Sequence, residues 1–392
     1  MPHKQYKIPV LRADLPVAEE LIHWISKIDK RHIYSNFGPL LTRYESELIQ
    51  RGFIHCITKG IGAHVISVSS GTTAIQAAIA ALNLTKNAKV LLPSFTFGGT
   101  GLAVVAQNCE IIFAEVDPKT WCLTPEIARD ILKFTDIDLV LPVALFGMEQ
   151  DVRKWDQFTR DTNIPVIIDA ASALAHQPIG EKTIVIYSLH ATKPLGIGEG
   201  GLVASVDQLF LRRVKEFIYF GFKDGLVTSF GINAKVPEYA AAVGLAQLDR
   251  WNRLQNKRIK IYREYIQKLT HLSAYIQFSA LEPEKANMFM PIQFNNIELS
   301  HFVENHFKEE GIETRRWYSP GLHQHPFFSR AKRFSTNGDG KLVITERLTE
   351  QVLCLPFHTF LTKDDIALII SRLDAAIREF HQSAHITKLS GI

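Results

Sequence analysis

The chain has 392 residues, 46% hydrophobic and 21% charged, with a formal charge of +4. That length suits one large domain and a smaller one, and the scattered basic residues form no stripe for nucleic acid or a membrane surface. The longest apolar run, Leu139–Met148, is too short to span a bilayer and contains Pro142.

The N-terminal "MPHKQYKIPV" lacks the apolar stretch of a secretory signal, so the expected location is the cytoplasm. Residues 1–50 are expected to wrap onto one domain or the other. From residue 65 to 205, short apolar runs alternate with amphipathic stretches: "HVISVSS", "AKVLLPSF", "EIIFAEV", "LVLPVALF", "IPVIIDA", "TIVIYSL" and "GLVASV". Thr72–Leu82 places Ile75, Ala78, Ile79 and Leu82 on one helical face. Runs that are apolar throughout, rather than alternating, belong to a sheet covered on both sides. The expectation is an α/β doubly wound domain whose mostly parallel, seven-stranded sheet carries helices on both faces, within residues 1–255. A smaller C-terminal α+β domain follows over residues 256–392, ending in a helix opened by Thr362 and Asp365 in the manner of a capping box. Gly244, inside the helical "PEYAAAVGLAQLDRW", costs ~1 kcal/mol against alanine and predicts a close backbone approach. Cys56, Cys109, Cys122 and Cys354 show no metal-binding spacing and are read as reduced, with no metal expected.

The chemistry concentrates in three places. In "SLHATKPLGIGEGG", Lys193 stands between an apolar strand and a glycine-rich turn. It is either a wet surface lysine or one held in a cleft to form a Schiff base with a carbonyl. In "SSGTTAIQAAIAAL" a strand turns at Ser70–Gly71 into a helix starting at Thr72; the start is a plain cap or a phosphate cradle. In "IPVIIDAASALAH", Asp169 closes a strand at the edge where open α/β sheets bind ligands, as a cap or as a charge facing the ligand. Lysine, anion cradle and strand-end aspartate together match pyridoxal 5′-phosphate, with its aldehyde, phosphate and ring nitrogen. Phe97, in "PSFTFGG", is either core or a lid on that ring.

With "SSGTTA", "LLPSFTF", "VIIDAASA", "SLHATKPLGIGEGG", "GINAKVPEYAAAVGLAQLD" and "RRWYSPGLHQHPFF" in view, the sequence resembles the DegT/DnrJ family of sugar aminotransferases over most of its length. The resemblance implies the pyridoxal-phosphate-dependent transferase fold of type I, the aspartate aminotransferase fold. It implies Lys193 as the Schiff-base lysine and Asp169 as partner of the pyridine nitrogen. Gly71, Thr72 and Ser188 would bind phosphate, and Phe97 would stack. Asn233 would reach the phosphate of the neighbouring subunit in a homodimer, and "YSNFGPLLTRYE" would lie at the site entrance. Ser172 stands where many members carry Gln or His, so its contact with the cofactor's 3′-oxygen is direct, bridged by water, or lost. Lys193 is present where related dehydratases have histidine, and His190 is not its substitute, which favours transamination.

The implied reaction moves an amino group from L-glutamate to a ketosugar nucleotide, a dTDP-4-keto-6-deoxyhexose, by way of pyridoxamine 5′-phosphate. Amino-sugar biosynthesis, as for lipopolysaccharide O-antigen, is the implied setting. Arg316, Tyr318 and His323 are candidate substrate contacts, offering cations and aromatic surface to a nucleotide sugar. A 3-keto sugar aminotransferase, a sugar dehydratase and a non-catalytic regulator are the alternatives.

Overall fold

The computed structural model describes residues 6–389, apart from 279–281, 283 and 286. Two helices lead, α1 (Ala18–Arg31) and α2 (Pro39–Gln50). Strand and helix then alternate: β1 (His64–Val68), α3 (Gly71–Ala81), β2 (Lys89–Pro93), α4 (Gly98–Val105), β3 (Glu110–Ala114), α5 (Pro125–Ile131), β4 (Leu139–Val140), α6 (Val152–Thr162) and β5 (Val166–Asp169). β6 (Thr183–Ser188) and β7 (Gly201–Ser205) follow directly, then α7 (Gln208–Ile218) and a hairpin of β8 (Phe222–Lys223) and β9 (Leu226–Val227). The long α8 (Glu238–Leu269) leads to β10 (Ile276–Phe278), β11 (Met290–Phe294), α9 (Ile297–Glu309), β12 (Lys332–Phe334), α10 (Val343–Gln351), β13 (Val352–Leu355) and α11 (Lys363–Leu389).

The large sheet runs β1-β7-β6-β5-β4-β2-β3-β12. β7 pairs antiparallel with both neighbours, and the remaining pairings are parallel. Alternate residues of one strand serve two cores, as the two-residue strand repeat requires. Val166, Ile168, Val185 and Tyr187 join α2, α5, α6 and the start of α8 on one face. Ile167, Ile184 and Ile186 join α3, α4 and α7 on the other. Both faces are covered, so the strands read as continuous apolar runs.

The count of seven strands is corrected to eight. Lys332–Phe334 adds at the edge beside β3, in parallel register. Leu322, Phe328 and Leu342 join the apolar cluster of α3, α4 and α7. Residues beyond 256 otherwise build a three-stranded sheet, β10-β11-β13, packed with α9, α11 and the C-terminal half of α8. Ile8 belongs to that cluster, whereas Trp24 and Ile28 of α1 belong to the first, so the leading residues touch both.

One local expectation is met and a second is met only in part. Thr362 and Asp365 bond reciprocally, Thr362 N donating to Asp365 Oδ2 at 2.9 Å and Asp365 N to Thr362 Oγ1 at 3.1 Å. Gly244 is tightly approached, although by a ring rather than a backbone: a Cβ there would lie 2.6 Å from Tyr44 Cε2. The four cysteines are free thiols. Among the described residues no helix is long and apolar enough to cross a membrane.

Candidate active site

The C-terminal ends of β1, β2, β5 and β6, together with the segment after β4, converge on a cavity of about 400 Å³, the place where an open α/β sheet leaves room for a ligand. Its wall includes Gly71, Thr72, Phe97, Asp169, Ser172, Ser188, Lys193 and Tyr318. Eight of the eleven residues singled out from sequence therefore meet in one place.

Lys193 sits in the connection from β6 to β7, which is laced to itself. Leu189 N donates to Gly200 O at 2.8 Å, Ala191 N to Gly198 O at 2.7 Å and Ile197 N to Leu189 O at 2.8 Å. Gly196 is needed there, since a Cβ would lie 2.6 Å from Ala191 O. The lysine amine donates to Ser172 Oγ at 2.8 Å and stands 5.9 Å from the Phe289 ring centre. Burial pulls its pKa down to about 8, against the opposing pull of the Asp169 charge.

Asp169 ends β5 and is 5% exposed. Its Oδ2 accepts from Thr100 Oγ1 at 2.8 Å and its Oδ1 from Ala171 N at 3.1 Å. Burial raises its pKa; the two hydrogen bonds and the Lys193 charge oppose the rise.

The candidate anion cradle is the start of α3. Ser70 caps it, its Oγ accepting from Thr73 N at 3.1 Å. Gly71 N, Thr72 N, the Thr72 hydroxyl and the Ser188 hydroxyl remain to meet an anion. Close approach explains the glycine: a Cβ on Gly71 would lie 3.0 Å from Ser188 Cβ. Phe97 caps α4, and its ring is 60% exposed at the cavity, 6.3 Å from the Tyr318 ring. An exposed aromatic face, a helix start with free N–H groups, a lysine of lowered basicity and a buried carboxylate fit pyridoxal phosphate.

Three candidates lie elsewhere. Arg316 points away from the cavity, its Nε donating to Glu304 Oε2 at 2.6 Å. His323 is buried, its Nδ1 2.6 Å from Ser94 Oγ and its Nε2 3.1 Å from Glu346 Oε1. Neither lines the cavity, and both are held by partners within their own segment's surroundings. Asn233 is exposed outside the cavity and accepts from Lys235 Nζ at 2.5 Å. The "YSNFGPLLTRYE" segment also lies off the cavity; Glu238 caps α2 there, accepting from Leu40 N and Leu41 N at 2.8 Å each.

Sequence reasoning missed Thr96, Thr100, Leu11, Met288 and Phe289, all of which line the cavity. Thr96 and Thr100 carried a signal, the helical i,i+4 spacing in "TFGGT". Leu11, Met288 and Phe289 come from distant segments and carried none.

A structure from Bacillus cereus ATCC 10987 assigned as a PLP-dependent aminotransferase is similar to this chain, with 30% identity, TM-score 0.85 and coverage of 94% of this chain and 99% of that one. The 3-oxo-glucose-6-phosphate:glutamate aminotransferase of Bacillus subtilis (strain 168) is 25% identical, covering 95% of this chain and 84% of its own. The dTDP-4-amino-4,6-dideoxy-D-glucose transaminase of Shigella dysenteriae is 25% identical, covering 93% and 97%. Residues 17–374 match the family as a whole, and on that match, with the lysine, aspartate and anion cradle gathered in one cavity, the chain belongs to the DegT/DnrJ/EryC1/StrS aminotransferase family.

Proposed function

We propose that the chain transfers an amino group from L-glutamate to a ketosugar nucleotide, with a dTDP-4-keto-6-deoxyhexose as the leading substrate. The observation that carries this reading is Lys193, an amine of lowered basicity that shares one cavity with buried Asp169 and the α3 anion cradle. The Bacillus subtilis relative named for glutamate supports the donor, and the Shigella relative named for a dTDP sugar supports the nucleotide. The active site is proposed to be completed in a homodimer, where exposed Asn233 would meet the neighbouring subunit's phosphate.

Pyridoxal phosphate, when bound, supplies an aldehyde for amino-group exchange and a ring that accepts electrons. Gly71, Thr72 and Ser188 would hold its phosphate, Phe97 would cover its ring and Asp169 would face its nitrogen. The chain's own part is then proton transfer and exclusion of water. With a pKa of about 8, roughly a tenth of Lys193 is unprotonated at pH 7, far more than for an ordinary lysine, and can take the donor's α-proton. In the reverse half it delivers a proton to the sugar carbon that receives nitrogen. Val143, Phe146, Met288 and Phe289 form an apolar wall that keeps water from competing.

The test is a visible spectrum of the purified protein with pyridoxal phosphate, followed by L-glutamate and then 4-keto and 3-keto sugar nucleotides. A band near ~410–430 nm that shifts with glutamate and returns with one keto sugar is expected. A band that glutamate leaves unmoved would remove glutamate as donor. No band would overturn the cofactor assignment.

A further inference from the structure

We propose that Thr100, with Thr96 behind it, is a positioning residue that keeps the Asp169 carboxylate ionised and aimed into the cavity. The proposal rests on the pyridoxal phosphate reading above, and concerns side chains to which that reading gives no part.

A serine or threonine within a helix usually returns its hydroxyl to the carbonyl one turn back. This chain does so repeatedly: Thr42 bonds Gly38 O at 3.0 Å, Thr162 bonds Phe158 O at 2.8 Å and Thr270 bonds Ile266 O at 2.8 Å. Thr100, in the first turn of α4, sends its hydroxyl to Asp169 Oδ2 at 2.8 Å, on another element 69 residues away. Thr96 Oγ1 lies 3.0 Å behind it. Both threonines are sealed from solvent, at 1% and 2% exposure.

The proton count gives this chain a direction. Thr100 has one hydroxyl proton, and it goes to Asp169. The proton between the two threonines must therefore come from Thr96, so the row reads Thr96 to Thr100 to carboxylate. The other carboxylate oxygen takes Ala171 N–H at 3.1 Å, a group that can only donate. Donors thus meet both oxygens. A protonated carboxyl would have to break one of these bonds or reverse the whole row. The arrangement favours the anion where burial works against it. Besides Lys193, Tyr318 is a titratable group coupled to Asp169, whose charge helps keep its hydroxyl neutral.

An ionised Asp169 is what holds a proton on a pyridine nitrogen opposite it. Without the Thr100 bond the carboxylate becomes more basic and competes for that proton. A merely structural threonine, holding α4 against β5, would leave the proton where it is.

The experiment reconstitutes wild-type, Thr100→Val, Thr100→Ser and Thr96→Val proteins with ring-¹⁵N-labelled pyridoxal phosphate at neutral pH. Two quantities are read: the ¹⁵N chemical shift and the cofactor dissociation constant. Thr100→Val is expected to move the shift toward the unprotonated position and to weaken binding by up to roughly tenfold, a fraction of one hydrogen bond to a charged group because that bond is already made before the cofactor arrives. Thr100→Ser should restore both, and Thr96→Val should give a smaller change in the same sense. Wild-type shift and affinity in a folded Thr100→Val protein would overturn the proposal and leave the cofactor reading intact. If Thr100→Val does not fold, Thr96→Val decides alone, and an unchanged shift there overturns the relay. Failure of the wild-type protein to take up pyridoxal phosphate would take down both.

Discussion

Ser172 Oγ accepts a hydrogen bond from Lys193 Nζ at 2.8 Å. The serine lies three residues past Asp169, so the end of β5 and the turn after it hold both the acidic group and the partner of the basic one. A hydroxyl oxygen that accepts from an ammonium favours the charged form. Ser172→Ala should therefore lower the Lys193 pKa further, by roughly one unit, since one unit corresponds to ~1.36 kcal/mol. The pH dependence of covalent pyridoxal phosphate uptake by the apo-protein, trapped by borohydride, measures it. A midpoint that stays in place or rises would contradict this role.

In the unsubstituted apo-protein, the same uptake rate should rise about tenfold per pH unit up to about 8 and then level off. The sign follows from chemistry, because only the neutral amine attacks a carbonyl. An unperturbed lysine would keep gaining rate to beyond pH ~10. Continued increase above pH 9 would show that burial has not depressed this amine.

Lys193→Ala should leave the melting temperature nearly unchanged, because the side chain ends in a cavity, and should cut transamination by roughly 10²–10⁴-fold or more. Borohydride should no longer fix the cofactor to the chain. Retained fixation would place the covalent linkage on another lysine.

Asp169→Asn keeps the shape and removes the charge. If Asp169 faces the ring nitrogen as proposed, cofactor affinity and the half-reaction with the proposed donor, L-glutamate, should both fall, the rate more steeply, because the uncharged amide cannot stabilise a protonated ring nitrogen. Stopped-flow absorbance resolves the two effects. Equal rates for variant and parent would show that the charge is not used.

Gly244→Ala sets two magnitudes against each other. Helix propensity gains ~1 kcal/mol, but the new methyl would lie 2.6 Å from the Tyr44 ring, which is fully buried and has nowhere to go. Overpacking costs ~1–3 kcal/mol. A net loss of stability is expected in urea denaturation, and a gain would mean the Tyr44 ring can move aside.

The cofactor end of the site was legible because its parts are local. Asp169 ends a strand and Lys193, Gly71 and Thr72 lie within a few residues of strand ends, and the strands announce themselves as apolar runs. The opposite wall was not legible. Met288 and Phe289 precede β11 and reach the cavity through the packing of the smaller sheet, with no sequence period to signal it. Arg316 and His323 share a segment with Trp317 and Tyr318, yet only the two aromatic residues line the cavity; composition cannot say which way a loop side chain faces. The eighth strand was hidden for a similar reason. It has three residues, two of them Lys332 and Arg333, and exists because β3 offers an open edge.

The β6–β7 connection has a consequence for how quickly the site can breathe. Catalytic loops commonly belong to the least stable part of a protein. Here antiparallel β6 and β7 close a hairpin at Ser188 and Gly201, and the turn between them is internally bonded. The amides of Leu189, Ala191 and Ile197 should exchange hydrogen as slowly as those of the strands on either side. The lysine is then in position before any cofactor arrives, whereas Leu11 and Tyr318 reach the same cavity from segments far away in the chain.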